Sequence, residues 1–320
     1  MAKHRGRGIS AIEYPTGMNQ NGDPSQAWIK IKPDGRVDVF SGTSDIGNGS
    51  KTIQSQIVAE TLGVPYDWIT YDNSNTDSSP VCTGTFASRA TFVAGKAVEK
   101  AALSARQKLL EIASKELEIA PEDLEVVDGE VRPAGSPSRG IAIADLAKKV
   151  LSFGSPYEPI EGYAGVAQTS RAPSAAAHLV HVRVDRETGA VTLLRQVIAQ
   201  DVGRVLNPAL VEGQMLGGTA QGIGWALYEE LAHDEFGQLR TGSFVDYAIP
   251  SVGAMPPVDL EIVEVPAPDG PFGAKGIGEA PVIAAAAAVA NAIAAATGVR
   301  MRELPMTPGR VWAALGNGAG

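Results

Sequence analysis

Two stretches of alternating apolar and polar residues constrain the fold of this chain more than any other feature. Residues 26–42, QAWIKIKPDGRVDVFSG, alternate on both sides of a Pro-Asp-Gly turn. Residues 177–200 alternate in the same way around a turn at Glu187–Gly189. A period of two places every second side chain on one face of a strand, and turn residues between two such runs are typical of a hairpin. The sequence therefore predicts two antiparallel hairpins, each with one buried face.

Helical patterns follow both hairpins. The segment KTIQSQIVAETL, residues 51–62, repeats apolar residues at helical spacing, and a longer helix is predicted from about residue 86 to 118. Other helices are predicted near 142–150, 208–228 and 307–315 and in the alanine-rich stretch after residue 279, and other strands at WITYDN and near 238–248 and 257–265. Helices that alternate with hairpins indicate an α+β fold, or mixed α/β, in two intimate lobes.

The charge and hydropathy of the chain limit its partners. Its 320 residues carry a formal net charge of −9, which argues against a general nucleic-acid or membrane-surface binder. The basic start MAKHRGRG has no apolar segment and is not a secretory signal. The stretch VIAAAAAVANAIAAATG is too short and too weakly apolar to span a bilayer, so we predict a buried helix. We expect a cytoplasmic protein.

The cysteine and histidine content leaves few ways to hold a metal. Cys82 is the single cysteine, so the chain can form neither an internal disulfide nor a cysteine-rich zinc or iron–sulfur site. His178 and His181 fall on opposite faces of a strand and make a poor metal pair. We therefore predict no metal ligand in this sequence, and any metal must be held by another group. Cys82 is more typical of a buried small apolar residue than of a nucleophile.

Three glycine-rich segments each lead towards a helix. SDIGNGSKT, residues 44–52, resembles a phosphate-binding loop, but Ser50 separates the second glycine from the lysine. GGTAQGIGWAL lies inside a helical pattern, and GAKGIGEAP lacks a third glycine at the spacing of a dinucleotide fingerprint. The segments therefore favour neither an ATPase nor a nicotinamide enzyme. Each alone indicates a tight turn, whereas the three together make a shared bound ligand an equal alternative.

One carboxylate, Glu279, lies on the last of these glycine ribbons, GPFGAKGIGEAPV. It directly precedes Ala280-Pro281, and proline favours the first turn of a helix, so Glu279 is predicted at or near an N-cap. Plain capping is the alternative role. The surrounding glycines favour a close approach to a substrate, with an ionised carboxylate ready to act as a base. Lys275 adds to that effect or is simply solvated.

A polar segment before the long helix offers a second candidate. NSNTDSSPVCTGTFASRA, residues 73–90, is dense in serine, threonine and asparagine. One interpretation is a loop with an N-cap. The other is a binding loop at a helix start, in which Ser88 and Arg89 supply hydrogen bonds.

Four segments, in their order along the chain, resemble the molybdenum hydroxylases, the xanthine dehydrogenase and aldehyde oxidase family. They are DIGNGSKTIQSQIVAETLGVP, CTGTFASRATFVAGKAV, DVGRVLNPALVEGQMLGGTAQGIGWALYEE and GAKGIGEAPVIAAAAAVANAI. The resemblance covers residues 1–316 and implies the second molybdopterin-binding domain of that family. It implies one such domain over residues 1–320, with two interleaved subdomains as an option. The N-terminal methionine and the opening segment lead us to expect a separate subunit similar to the medium molybdopterin subunit of nicotinate dehydrogenase.

The resemblance also implies a chemistry. In this family the dithiolene of the pterin holds molybdenum, so no cysteine or histidine of the protein is needed. The family glutamate matches Glu279, which would take a proton from a Mo–OH group before the oxygen attacks an electrophilic carbon beside a heteroatom. Hydride would pass to a sulfido or selenido ligand.

Residue by residue, the resemblance assigns contacts with the cofactor. IGNGS occupies the family's Gly-Gln-Gly position, with asparagine where glutamine is usual, and TFAS occupies the loop that lies against the cofactor. Phe86 is also placed to pack on an aromatic substrate. The residues assigned to cofactor binding are Gly47, Asn48, Gly49, Thr85, Phe86, Ala87, Ser88, Gln221, Lys275, Gly276 and Gly278.

The resemblance finally implies partners and a substrate class. A larger molybdopterin subunit, an iron–sulfur subunit with 2Fe-2S centres and a flavin subunit with FAD would complete the enzyme, and the cofactor would be the cytosine dinucleotide form of molybdopterin. The leading hypothesis is a hydroxylase of an N-heterocyclic aromatic, nicotinate-like or purine-like. One alternative is an aldehyde or carbon monoxide dehydrogenase subunit. Another, suggested by Asn48, is a non-catalytic binding or scaffold subunit.

Overall fold

The computed structural model describes residues 4–18, 22–167 and 170–317, and the chain divides into two units that alternate along the sequence. Unit 1 comprises Met1–Tyr14, Pro173–Val265 and Ile277–Gly320, and unit 2 comprises Pro15–Ala172 and Pro266–Gly276. The strands are β1 (His4–Tyr14), β2 (Ser25–Ile31), β3 (Val37–Ser41), β4 (Ile69–Asp72), β5 (Leu124–Val127), β6 (Glu130–Pro133), β7 (Ile141–Ala142), β8 (Glu161–Val166), β9 (Ser174–Val184), β10 (Val191–Asp201) and β11 (Val258–Val263). The α-helices are α1 (Ser50–Leu62), α2 (Gly95–Leu117), α3 (Ile143–Val150), α4 (Pro208–Leu227), α5 (Ala280–Thr297) and α6 (Pro308–Trp312).

Unit 1 is built on a four-stranded sheet in the order β1-β9-β10-β11, with β11 parallel to β10 and the other pairs antiparallel. Helices α4 and α5 pack on its buried face. Two glycines of β1, Gly6 and Gly8, let α5 lie directly on the strand, since a Cβ atom at Gly8 would overlap the backbone of Ala288 and Asn291. Small residues on both elements therefore allow a close helix–sheet contact.

The length and composition of α5 alone do not decide its environment. Its 18 residues have a mean hydropathy of 1.7, and in the part of the chain that the structure describes it is the one helix long and apolar enough to cross a membrane. The sequence predicted that the alanine-rich stretch is too short and too weakly apolar to span a bilayer. For the whole helix α5 that prediction is wrong. Most of its alanines are buried, however, and the helix packs on β1, β9 and α4, so packing in the core accounts for its apolar face.

Unit 2 contains a second four-stranded sheet, in the order β4-β3-β2-β8, and a smaller sheet, β5-β6-β7. Strands β2 and β3 form an antiparallel hairpin, whereas β3 and β4 are parallel because α1 connects them. Helix α2 buries a row of alanines beside β8, where a Cβ atom at Gly162 would overlap the carbonyl oxygen of Ala101. The mixed α and β composition predicted from the sequence is confirmed, as are both hairpins and helices α1, α3 and α4.

Two predicted elements differ from the structure. The helix predicted from residue 86 begins as a π-helical turn at Ala90, because Ala87 and Ser88 have positive φ values of 49° and 52° that a helix excludes. The strand predicted near 238–248 is a series of turns. There the Asp234 carboxylate accepts from Gln238 N–H at 2.9 Å and the Ser243 hydroxyl accepts from Val245 N–H at 3.3 Å. Side-chain acceptors of this kind favour turns over a strand ladder.

Candidate functional site

The glycine loop before α1 is shaped by an aspartate that the sequence analysis missed. The Asp45 carboxylate accepts from the N–H of Gly47 at 2.8 Å and of Lys51 at 3.0 Å. Burial alone would raise the pKa of Asp45, but these backbone hydrogen bonds and the charge of Lys51 hold it below its usual value. The Asn48 amide oxygen accepts from Ile46 N–H at 3.4 Å. A Cβ atom at Gly47 would meet no described residue within 4 Å, and a φ of +99° accounts for a glycine at this position.

The TFAS loop lies beside that glycine loop. Thr85 donates its hydroxyl hydrogen to the carbonyl oxygen of Ser44 at 2.5 Å. Phe86 is 42% exposed. The left-handed backbone of Ala87 and Ser88 is costly for residues with a side chain and is more common at functional loops than elsewhere. The structure thus presents an exposed aromatic ring on a strained turn.

The glycine ribbon contacts the same turn within unit 2. A Cβ atom at Gly276 would overlap the carbonyl oxygen of Ser88, so only glycine permits this approach. Thr16 donates to the carbonyl oxygen of Gly276 at 3.4 Å. Lys275 is 8% exposed, so the alternative that it is simply solvated is wrong.

Arg89 holds the loop of residues 82–88 in place through buried hydrogen bonds. Its side chain is fully buried, and its guanidinium donates to Asp23 Oδ1 at 2.6 Å, to the carbonyl oxygen of Gly84 at 2.7 Å and to Cys82 Sγ at 2.9 Å. The prediction that Arg89 offers hydrogen bonds to a ligand is therefore wrong. A buried ion pair with these extra bonds anchors the loop to residue 23, which lies 66 positions earlier.

Cys82 is half-buried and not an ordinary apolar core residue. Burial alone would raise the pKa of its thiol, but hydrogen bonds from Thr43 and the Gly84 N–H and the charge of Arg89 hold it below the usual value. The residue lines a cavity of about 340 Å³ in unit 2. The other lining residues are Gly42, Ser44, Asn73, Ser74, Asn75, Thr76, Ser79, Pro80 and Val81.

Glu279 lies in unit 1, at the N-cap position of α5 as the sequence predicts. Its carbonyl oxygen accepts from Val282 N–H at 3.0 Å, but its carboxylate makes no capping hydrogen bond to the helix. Simple capping therefore does not explain a glutamate at this position. Gly278 separates Glu279 from Ile277, the first residue of this segment of unit 1.

A tyrosine near Glu279 was not found from the sequence. Tyr14 ends β1, also in unit 1, and pairs with Ser174 at the start of β9. Burial and the nearby negative charge of Glu279 both raise the pKa of the Tyr14 phenol. No local pattern signals this pair, because 264 intervening positions separate the two residues in the sequence.

Helix α4 presents Gln221 on an exposed face that also carries Gly213 and Gly217. Cβ atoms at either glycine would meet nothing within 4 Å. The buried face carries Gly218 and Gly222, which lie against Pro281 and Ala285 of α5. Among the described residues, Gln221 is therefore on the uncovered face of α4.

The predicted site residues thus fall into two groups. Unit 2 brings together the TFAS loop and the ribbon end at Gly276, with the glycine loop adjoining Thr85 through Ser44. Unit 1 holds Glu279, Gly278 and Gln221. Across the described ranges, no group of three or more histidine, cysteine, aspartate or glutamate side chains is arranged to hold a metal ion. Exposed glycines and backbone N–H groups fit an organic cofactor better than a metal held directly by side chains.

Comparison with known proteins shows the family to which this chain belongs. Residues 1–256 match the molybdopterin cofactor-binding domain. The chain is 34% identical over 316 residues to a putative xanthine dehydrogenase molybdenum-binding subunit of Escherichia coli (strain K12), covering 96% of this chain and 42% of that protein. It is 35% identical over 326 residues to the nicotine 6-hydroxylase large subunit of Paenarthrobacter nicotinovorans, covering 97% of this chain and 40% of that protein.

A solved structure agrees in fold. Quinoline 2-oxidoreductase from Pseudomonas putida 86 superposes with a TM-score of 0.89 at 30% identity, over 98% of this chain and 42% of that chain. The chain therefore spans less than half the length of the relatives that it matches. Given the family match over most of its residues, the chain belongs to the molybdopterin cofactor-binding domain family of the molybdenum hydroxylases.

Proposed function

We propose that this chain is the catalytic molybdopterin subunit of a hydroxylase that inserts water-derived oxygen into an N-heterocyclic aromatic compound. The observation that carries the proposal is the carboxylate of Glu279, which stands at the N-terminus of α5 without capping it. A carboxylate that sits on a glycine ribbon and does not cap its own helix can serve as a general base.

Glu279 acts as the general base. Its carboxylate accepts the proton of the attacking hydroxyl group. Molybdenum-molybdopterin supplies the two-electron redox chemistry when it is bound. The protein supplies orientation, and the absence of a side chain at Gly278, next to the base, permits a close approach.

The cofactor contacts are assigned to the glycine-rich elements of each unit. Gly47 and Gly49 lack a side chain and so permit a close approach to the loop, and Asn48 offers its amide NH₂ in place of the longer glutamine. Gln221 contacts the pterin from the uncovered face of α4. We propose the cytosine dinucleotide form of the cofactor, as in bacterial split enzymes.

Phe86 supports an aromatic substrate. Its side chain is 42% exposed on a loop that the buried Arg89–Asp23 pair anchors. Stacking against a flat heterocycle is favourable for an exposed ring of this kind. The names of nicotine 6-hydroxylase and quinoline 2-oxidoreductase agree with a nicotinate-like or purine-like compound for this chain.

Exposed apolar residues in unit 1 support a complex with other subunits. The turn-rich segment between α4 and β11 exposes large apolar side chains, including Phe236 at 87%, Phe244 at 85%, Val245 at 94% and Val252 at 93%. Clusters of this kind are common at protein interfaces. We propose a larger molybdopterin subunit, a 2Fe-2S subunit and an FAD subunit as partners in a cytoplasmic enzyme that resembles nicotinate dehydrogenase.

The substitution Glu279→Gln tests the central step. It keeps the size of the side chain but removes the base, so we expect kcat to fall about 100-fold or more while molybdenum content and subunit assembly are unchanged. Glu13→Gln, an exposed glutamate on β1, is the matched control and should retain activity. Unaltered turnover in Glu279→Gln, with full molybdenum content, would exclude Glu279 as the base.

The alternative functions can be distinguished by the substrates that the enzyme oxidises and by the molybdenum content of the purified complex. A screen of nicotinate-like and purine-like compounds against aldehydes and carbon monoxide distinguishes the heterocycle hydroxylase from the aldehyde or carbon monoxide dehydrogenase. Phe86→Ala should raise KM for an aromatic heterocycle more than for a small aldehyde, because only the heterocycle stacks against the Phe86 ring. Purification of the native complex without molybdenum, from cells that make the cofactor, would instead favour a scaffold subunit.

A further inference from the structure

The ribbon that carries Glu279 is held by two buried polar side chains of unit 1. Gln200 Nε2 donates to the carbonyl oxygen of Ile277 at 3.4 Å and to Ser174 Oγ at 3.2 Å. Ser174 donates in turn to the carbonyl oxygen of Asp201 at 2.6 Å. Gln200 is 1% exposed and Ser174 is fully buried, so water cannot easily replace these bonds.

The sheet places this pair where three strands end or begin. Ser174 is the first residue of β9, Gln200 is the penultimate residue of β10, and Tyr14 is the last residue of β1 and the register partner of Ser174. This edge of the sheet therefore lies beside the ribbon. It also carries Tyr14, whose phenol pKa is raised by burial and by the charge of Glu279.

Both neighbours of Gly278 are restrained. On one side the Ile277 side chain packs against an apolar cluster that contains Ile198 and Met215. On the other side α5 is fixed by its close contacts with β1 and α4, including Ser10 Oγ to the carbonyl oxygen of Ala284 at 2.5 Å. Between these two restraints, the Ile277 carbonyl is held by the hydrogen bond from Gln200.

We propose that Gln200, supported by Ser174, is a positioning residue for Glu279: by holding the Ile277 carbonyl it sets the direction in which the Glu279 carboxylate leaves the ribbon. The inference rests on the proposed role of Glu279 as the base. A misplacement of about 1 Å at a reacting group can cost on the order of 100-fold in rate, so one hydrogen bond to the ribbon has a large kinetic effect.

The same strand provides a matched control. Gln196 lies four residues earlier on β10, on the same face, and is fully buried. Its Nε2 atom lies 2.7 Å from His178 Nδ1 and not at the ribbon. Substitution of Gln200 or Gln196 by methionine preserves side-chain volume and removes the amide, so the two variants share the burial change and differ in the contact with Ile277.

The experiment compares Gln200→Met with Gln196→Met in the assembled complex. Hydrogen–deuterium exchange of the peptide that spans residues 274–282 should be about fivefold faster in Gln200→Met only, as expected for the loss of one net hydrogen bond. In the same variant kcat should fall about 100-fold with KM nearly unchanged. Exchange and kcat equal to those of Gln196→Met would overturn the proposal.

A second variant keeps the test decisive if Gln200→Met does not assemble. Ser174→Ala removes the acceptor that orients the Gln200 amide, and it should raise exchange in the same peptide and lower kcat by a smaller factor. Unchanged exchange and kcat in this variant would again overturn the proposal. The exchange measurement does not depend on turnover. If Glu279→Gln were fully active, the catalytic role of Glu279 would be rejected. Faster exchange of the ribbon in Gln200→Met would still show that Gln200 holds the ribbon.

Discussion

Helix α4 carries two pairs of glycines on different faces, and the packing of this chain explains only one pair. Gly218 and Gly222 lie against α5, where Cβ atoms would come within 2.7 Å of Pro281 Cβ and 2.6 Å of Ala285 Cβ. Cβ atoms at Gly213 and Gly217 would meet nothing within 4 Å. Glycine in a helix costs up to about 1 kcal/mol relative to alanine, so the second pair is unfavourable for the isolated chain. The packing of the described residues therefore explains Gly218 and Gly222 but not Gly213 and Gly217.

The largest effect is expected in unit 2, where the glycine ribbon has even less space than the buried face of α4. In Gly276→Ala the new methyl group would overlap the Ser88 carbonyl oxygen, a backbone atom that cannot move alone. We expect the free energy of unfolding to fall by about 3 kcal/mol or more. Urea unfolding of wild type and variant measures it, and a loss below about 1 kcal/mol would show that the TFAS turn adapts easily.

On the buried face of α4, Gly222→Ala should have an intermediate effect. Its methyl group would lie 2.6 Å from both Ala285 Cβ and the carbonyl oxygen of Val282, so α4 and α5 must separate. We expect a loss of about 1–3 kcal/mol in the free energy of unfolding, in spite of the better helix propensity of alanine. A gain in stability by thermal unfolding would contradict the close α4–α5 contact.

On the uncovered face, Gly217→Ala should have the smallest effect on folding, with the opposite sign. Better helix propensity should stabilise the isolated chain by about 0.5–1 kcal/mol. If this face meets the cofactor, the same substitution should lower the molybdenum content of the assembled complex, measured by metal analysis. Gly213→Ala provides a companion. Higher stability with full molybdenum in both variants would assign these glycines no role in binding.

Elements with a strong local pattern could be predicted from the sequence. The Pro-Asp-Gly hairpin and helix α1 appear as expected, because apolar periodicity and turn residues act within a few positions. Glu279 could be placed at its N-cap because Pro281 signals the first turn of a helix. The start of α2 was placed too early, since no local propensity predicts two successive left-handed residues at Ala87 and Ser88.

Contacts between distant segments could not be predicted. Arg89 was interpreted as a ligand donor because its partner Asp23 is far away in sequence, and the buried pair is formed only by folding. Asp45 carries a signal that could have been used, since an aspartate two residues before a glycine often accepts backbone N–H groups. Tyr14 carries no comparable signal.

The sequence by itself determined the repertoire of elements, the family and the identity of the candidate base, because these depend on residue type and short-range order. Only the tertiary structure decided which polar side chains form buried structural contacts. Arg89 forms a buried ion pair with Asp23, whereas the carboxylate of Glu279 does not cap its helix. The physical reason is that burial and long-range hydrogen bonds, such as that from Gln200 to Ile277 across 77 positions, exist only once the sheet has formed.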